Sequence, residues 1–204
     1  MKIIGIGKNY VNDKSDIAAL KTGDQLIFVK AESTLVTDNK DIVFPKITNE
    51  LVYEVELVAK IGKTGKDISE SDAASYISEI GIGIDYTAKD VLTASRANKG
   101  PWALAKGFDG ASPVNGFKSI SNFQDINDIN FNLLINGAEV QNGNTSDMIY
   151  NFVEIISYVS KYMTLEPGDL IFTGTPASGA GLNVKGDHLQ ASIEGELLLD
   201  FKLI

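Results

Sequence analysis

The chain contains no cysteine, one histidine, one tryptophan and five prolines among its 204 residues. Without cysteine it can form no disulfide, thiolate nucleophile or thiolate zinc site, and this fits a cytoplasmic location. One histidine cannot build a two-histidine metal site, and nothing near it suggests a Ser-His-Asp triad. His188 follows the turn-like Gly186-Asp187 and reads as structural. Arginine is almost as scarce, since Arg96 is the single one among 18 basic residues. No apolar run approaches the roughly 18 residues of a membrane span. The opening Met1-Lys2-Ile3-Ile4-Gly5-Ile6 lacks the cleavage site of a signal peptide and reads as a first strand. The net charge of −9 argues against nucleic acid as a partner. It also makes an anionic small molecule depend on local lysines or a bound cation. At 44% hydrophobic and 22% charged, residues 1–204 are expected to form one globular domain.

Acidic residues within apolar stretches are the informative feature. Tyr53-Glu54-Val55-Glu56-Leu57-Val58 sets two carboxylates two positions apart, and Asp85 closes the run Ile80-Gly81-Ile82-Gly83-Ile84. In a strand, positions i and i+2 share a face, which puts Glu54 and Glu56 roughly 6–7 Å apart. Like charges that close in partly buried surroundings require a cation between them. Oxygen donors without cysteine or histidine suit Mg²⁺, Mn²⁺ or Ca²⁺. Taken alone, the alternation is the ordinary pattern of an amphipathic strand whose acids face water, and it is the segments that follow which favour a site.

The rest of the chain reads as many short strands and few helices, a β-rich α+β arrangement. Strands are expected over residues 26–29, 51–61, 80–85, 170–172, 188–193 and 197–203. Asn136-Gly137 marks a hairpin. Helices are expected over 69–78, capped by Ser69, and over 145–163, where Met148, Ile149, Phe152, Ile155, Ile156, Val159 and Met163 fall on one face. The polar segment 11–24 is a surface loop or short helix and a possible lid. Gly62-Lys63-Thr64 lacks the first glycine of a phosphate loop, and Gly5-Ile6-Gly7 lacks the third glycine of a dinucleotide fingerprint.

Six blocks in order resemble the fumarylacetoacetate hydrolase family in its short form. Gly7-Lys8-Asn9-Tyr10 is similar to the opening G-R-N-Y, and Phe28-Val29-Lys30 to F-x-K. Tyr53-Glu54-Val55-Glu56-Leu57 resembles the strand carrying two metal ligands. Asp85-Tyr86-Thr87-Ala88-Lys89-Asp90 resembles D-x-[ST]-A-R-D, whose first Asp is the third ligand. Trp102-Ala103-Leu104-Ala105-Lys106-Gly107-Phe108-Asp109 resembles the segment supplying an active-site lysine. Leu165-Glu166-Pro167-Gly168-Asp169 followed by Thr173-Gly174-Thr175-Pro176 completes the set.

The resemblance implies a mixed β-roll, a divalent cation (usually Mg²⁺) on Glu54, Glu56 and Asp85, and commonly a homodimer. It also implies a 2-oxo or β-diketo acid substrate that is cleaved, decarboxylated or isomerised through an enolate. Lys106 would cradle the oxyanion. Thr175, Lys89 and Lys8 would face the substrate, and Lys30, after an apolar strand, would either face it or stand behind the residues that do. Where hydrolytic members carry a water-activating His and, three residues on, a Glu, this sequence has Asp13 and Asp16. Lys8 and Lys89 replace arginines, keeping charge but losing bidentate geometry. Leu92 stands where hydrolytic relatives often have Gln. These departures favour decarboxylation or keto–enol isomerisation over C–C hydrolysis. The alternative is a catalytically silent protein that binds metal and small acids.

Overall fold

The computed structural model describes residues 1–204. Seven strands form a mixed sheet: β1 (Ile3–Gly7), β2 (Leu26–Lys30), β3 (Leu35–Val36), β5 (Val55–Ile61), β6 (Ile77–Ile84), β8 (Ser112–Ser119) and β11 (Leu170–Phe172). Their order is β2-β1-β11-β5-β6-β8-β3, with β1 and β11 parallel. A three-stranded sheet joins β12 (Gly181–Asn183), β4 (Leu51–Tyr53) and β7 (Thr87–Ala88). A four-stranded sheet orders β10 (Ala138–Asn144), β9 (Asn130–Ile135), β13 (His188–Ile193) and β14 (Glu196–Lys202). The helices are short: α1 (Ile17–Leu20), α2 (Glu70–Ala73), α3 (Lys89–Ala97), α4 (Ala103–Lys106) and α5 (Phe152–Ser160). None is long and apolar enough to cross a membrane. The sheets curl into the expected strand-rich roll.

The core lies between the sheets. Leu57, Ala59 and Ile61 of β5 and Ile80, Ile82 and Ile84 of β6 join Phe152, Ile155, Ile156 and Val159 of α5 in one buried cluster. The Ile-Gly-Ile-Gly-Ile pattern of β6 has a steric cause. A Cβ at Gly83 would stand 2.8 Å from the Pro113 carbonyl and 3.0 Å from the Phe172 ring. The isoleucines fill one face, and the glycines let rings lie against the other.

Three expectations are corrected. The strand over 51–61 is broken at Glu54, so β4 and β5 belong to different sheets. The helix over 145–163 starts only at Phe152. Asn151 caps it, accepting from the Glu154 amide while the Glu154 carboxylate accepts from the Asn151 amide. Met148 instead bridges to Tyr10 as extended chain, and Ile149 donates its amide to the Asn9 carbonyl. The helix over 69–78 shrinks to α2 and a 3-10 turn. Ser69 does not cap it; its hydroxyl bonds Asp72 instead. The Asn136-Gly137 hairpin forms, with both residues at positive φ, 53° and 81°.

One loop joins that hairpin to the roll. The buried Asp187 carboxylate accepts from Asn136 Nδ2 (2.9 Å), Asn183 Nδ2 (2.9 Å) and the Val184 amide (2.8 Å). Burial alone would raise this carboxyl; the three donors hold it below the usual range. A depressed folded-state pKa stabilises the fold above about pH 4, the ordinary value, and that contribution fades as pH falls through the folded one. Asp187→Asn is expected to cost about 1–3 kcal/mol at pH 7 and progressively less in acid. Urea unfolding at both pH values checks this, and a pH-independent difference would contradict it.

Candidate active site

A cleft of about 350 Å³ opens where the three-stranded sheet meets the end of the main sheet. Glu54, Glu56, Asp85, Lys106, Thr175, Lys8 and Lys89 all line it. Glu54 sits in the break between β4 and β5, and its carbonyl accepts from the Asp85 amide at 2.8 Å. That bond ties the first acid to the last, from one strand end to another far along the sequence. Glu56 is the second residue of β5, and Asp85 follows β6 directly. Lys106 ends α4 and is 5% exposed.

The electrostatics centre on Asp85. One carboxylate oxygen pairs with Lys30 Nζ at 2.5 Å, and the other takes a hydrogen bond from Lys106. Lys106 also donates to Glu54 Oε2 at 2.8 Å. Burial alone would raise the Asp85 carboxyl, but the two ammonium groups outweigh it and hold it below the usual range. Glu56 behaves in the opposite way. Burial, then the nearby Asp85 and Glu54 charges, push it well above the usual range, against the pull of Lys106 and the Gly174 amide. Burial depresses Lys106, yet Asp85 and Glu54 outweigh that and leave it more basic than ordinary lysine.

These carboxylates do not form a ready-made coordination sphere. The cationic position between Glu54 and Asp85 is taken by Lys106 Nζ. Even so, the donor set fits a hard divalent cation. Three carboxylates lie close enough to perturb one another, and an ammonium already stands in for a metal between two of them.

Other expected residues are placed elsewhere. Lys30 does not line the cleft. It is 1% exposed beneath Asp85, and its second hydrogen bond goes to the Ala111 carbonyl. Asp13 and Asp16 also lie outside the cleft lining, on the exposed 3-10 turn before α1. Asp13 accepts from the Ser15 amide at 2.9 Å, which holds its carboxyl below the ordinary range and makes it a poorer base. The segment 11–24 is tethered to the α5 region, where Lys21 pairs with Glu154 at 2.5 Å and the Gly23 amide donates to Tyr150 Oη.

Several contributors escaped the sequence reading. Thr87 donates its hydroxyl to Glu54 Oε2 at 2.9 Å. The Gly174 amide donates to Glu56 Oε2 at 2.7 Å, with Gly174 at φ 100° and a built Cβ 2.8 Å from Asn9. Gln141, 2% exposed, accepts from the Val55 amide and donates to Thr175 Oγ1 at 3.0 Å. Asn9 binds Tyr150 through both its carbonyl and its amide and donates to the Thr173 carbonyl. Thr87, Gly174 and Asn9 lie inside the motifs quoted above. Gln141 had no signal, because its role depends on β10 meeting β5.

The family model described as Fumarylacetoacetate (FAA) hydrolase C-terminal matches residues 2–200. The chain belongs to that family, and its roll is the family's fold. It is similar to enzymes along nearly its whole length. The mitochondrial oxaloacetate tautomerase FAHD1 of Bos taurus is 35% identical over 201 residues, covering 98% of this chain and 90% of its own. The mitochondrial oxaloacetate decarboxylase of Dictyostelium discoideum is 34% identical over 195 residues, covering 95% and 89%. Among solved structures, the fumarylpyruvate hydrolase from Pseudomonas aeruginosa in complex with Mn²⁺ and pyruvate matches with a TM-score of 0.89 and 28% identity, over 100% of this chain and 90% of that one. This chain is an enzyme of that family.

Proposed function

We propose that the chain is a divalent-metal-dependent enzyme acting through the enolate of a small 2-oxo or β-diketo acid. Decarboxylation or keto–enol isomerisation is favoured over C–C hydrolysis. The observation that carries this is the carboxylate trio of Glu54, Glu56 and Asp85 on the cleft wall, braced by the buried Lys106 and Lys30. The relatives named for oxaloacetate tautomerisation and decarboxylation support it.

Glu54, Glu56 and Asp85 would hold Mg²⁺ or Mn²⁺. Bound there, the cation supplies Lewis-acid stabilisation of negative charge on a carbonyl oxygen. Lys106, more basic than usual, keeps its proton and donates a hydrogen bond to the developing oxyanion. Lys30 holds Asp85 ionised and fixed from below. Gln141 orients Thr175, whose own hydroxyl proton is then free for a substrate carboxylate. Lys8 and Lys89 on the cleft wall add positive charge for the same anion. Hydrolysis needs an activated water as well. The acids that would supply a base, Asp13 and Asp16, do not line the cleft, and the Asp13 carboxyl is held low. A homodimer and a cytoplasmic location complete the reading, the first from the family resemblance and the second from the lack of cysteine.

Oxaloacetate and an acylpyruvate, each assayed with Mg²⁺, with Mn²⁺ and with chelator, test this. Metal-dependent enol–keto exchange or CO₂ release from oxaloacetate is expected, with slow acylpyruvate cleavage. Comparable acylpyruvate hydrolysis that Asp13→Asn abolishes would overturn the preference for non-hydrolytic chemistry.

A further inference from the structure

We propose that Arg96 is a specificity-determining residue of this cleft, gripping the second carboxylate of a dicarboxylic 2-oxo acid. The inference rests on the function proposed above and narrows its substrate class to diacids longer than the reacting 2-oxo acid group itself.

The argument begins with helix α3. Lys89, Leu92 and Arg96 stand at positions i, i+3 and i+7, one face of a helix, and all three line the cleft. Seven residues advance about 10 Å along the axis. The face therefore runs from a cation within the motif that opens with Asp85, across an apolar residue, to a second cation two turns away. A second row of contacts repeats the pattern and ends on the same arginine. Lys106 Nζ lies 4.8 Å from the Phe28 ring centre, Phe28 and Trp102 are 5.6 Å apart, and the Arg96 guanidinium lies 4.6 Å from the Trp102 ring centre. Two cationic ends joined by an apolar floor match an anion with a carboxylate at each end and a carbon chain between.

The charges at those ends differ in what already balances them. Lys106 is neutralised by Glu54 and Asp85. Arg96 forms no ion pair, although the chain carries an excess of acids, and its side chain is exposed at the cleft with only the Trp102 face as a partner. The contact with the ring positions the guanidinium, and its N–H groups, without a protein acceptor, are available for a two-point bond to a carboxylate. This is also the only residue in the chain able to make that fork, because the other cations of the cleft, Lys8 and Lys89, offer ammonium groups. The one bidentate group of the cleft thus stands two turns along α3 from Lys89, at the far end of the ligand.

Calorimetry on the Mg²⁺-loaded full chain tests the assignment with two ligands. Oxalate occupies the carboxylate-trio end alone, and 2-oxoadipate adds a second carboxylate on a carbon chain. Arg96→Gln is expected to weaken 2-oxoadipate by about 10- to 100-fold and leave oxalate binding and the thermal midpoint unchanged. Arg96→Lys, which keeps the charge without the fork, should fall between. Equal losses for both ligands with a lower thermal midpoint would assign Arg96 a structural role with Trp102 and overturn the proposal. Unchanged 2-oxoadipate binding would overturn it too. Oxalate that fails to bind the unaltered protein would remove the proposed function, and this inference with it. Normal oxalate binding with no preference for the diacid would remove this inference alone.

Discussion

Lys106→Met is expected to lower kcat for a 2-oxo acid by about 10²- to 10³-fold, the usual cost of deleting one preorganised oxyanion donor. Methionine keeps an unbranched side chain one atom shorter and removes the charge. The same change should alter how the protein responds to metal. In the unaltered protein the ammonium balances Glu54 and half of Asp85. Without it, those carboxylates face each other with Lys30 as the one remaining cation, and Glu56 adds a third acid. Saturating Mg²⁺ should then raise the thermal midpoint of the variant by more than it raises that of the parent. Steady-state kinetics and thermal melts with and without Mg²⁺ read both effects. Full turnover in the variant would remove Lys106 from the chemistry. An unchanged metal-dependent shift would show that the ammonium and the cation do not answer to the same acids.

The second large effect is one of stability. Lys30→Met should cost about 3–5 kcal/mol, because it takes away one of the two ammonium groups that neutralise a fully buried carboxylate. Lys30 and Asp85 are each 1% exposed, and Nζ has no water-facing alternative to Asp85 and the Ala111 carbonyl. Denaturant unfolding measures the loss. The double variant Lys30→Met/Asp85→Leu should recover part of it, since replacing both members with apolar groups avoids the unpaired charge. A single variant as stable as the parent would mean that Lys106 alone satisfies Asp85. Lys30 thus acts on the site without touching the cleft, one of the two places its position after an apolar strand allowed.

The sequence-to-structure misses share a cause. The alternation from Leu51 to Ile61 contains no glycine or proline to announce an interruption, so it reads as one strand. The chain breaks at Glu54 because β4 pairs with β7 and β12 while β5 pairs with β6 and β11, a competition between partners distant in sequence. Helical spacing likewise runs back through Met148 and Ile149, yet Asn151 and Glu154 form a capping box that marks the true start. That signal was local and legible. What outweighed it was a run of apolar residues that Tyr10 and Asn9 claim for extended structure. Where a local rule had no long-range rival, as in the Asn136-Gly137 turn, the expectation and the structure agree.

By itself, the sequence determined the strand-rich class, the family and the identity of the acids and lysine that face the cleft, because each depends on residue type and short spacing. Only the tertiary structure decided that Lys30 lies buried beneath Asp85, that Asp13 and Asp16 stand away from the cleft, and that Arg96 shares a wall with Lys106. Those relations join segments many residues apart. The free energy that fixes them comes from burial and charge pairing between strands and helices, and no local pattern records which partner a side chain will meet.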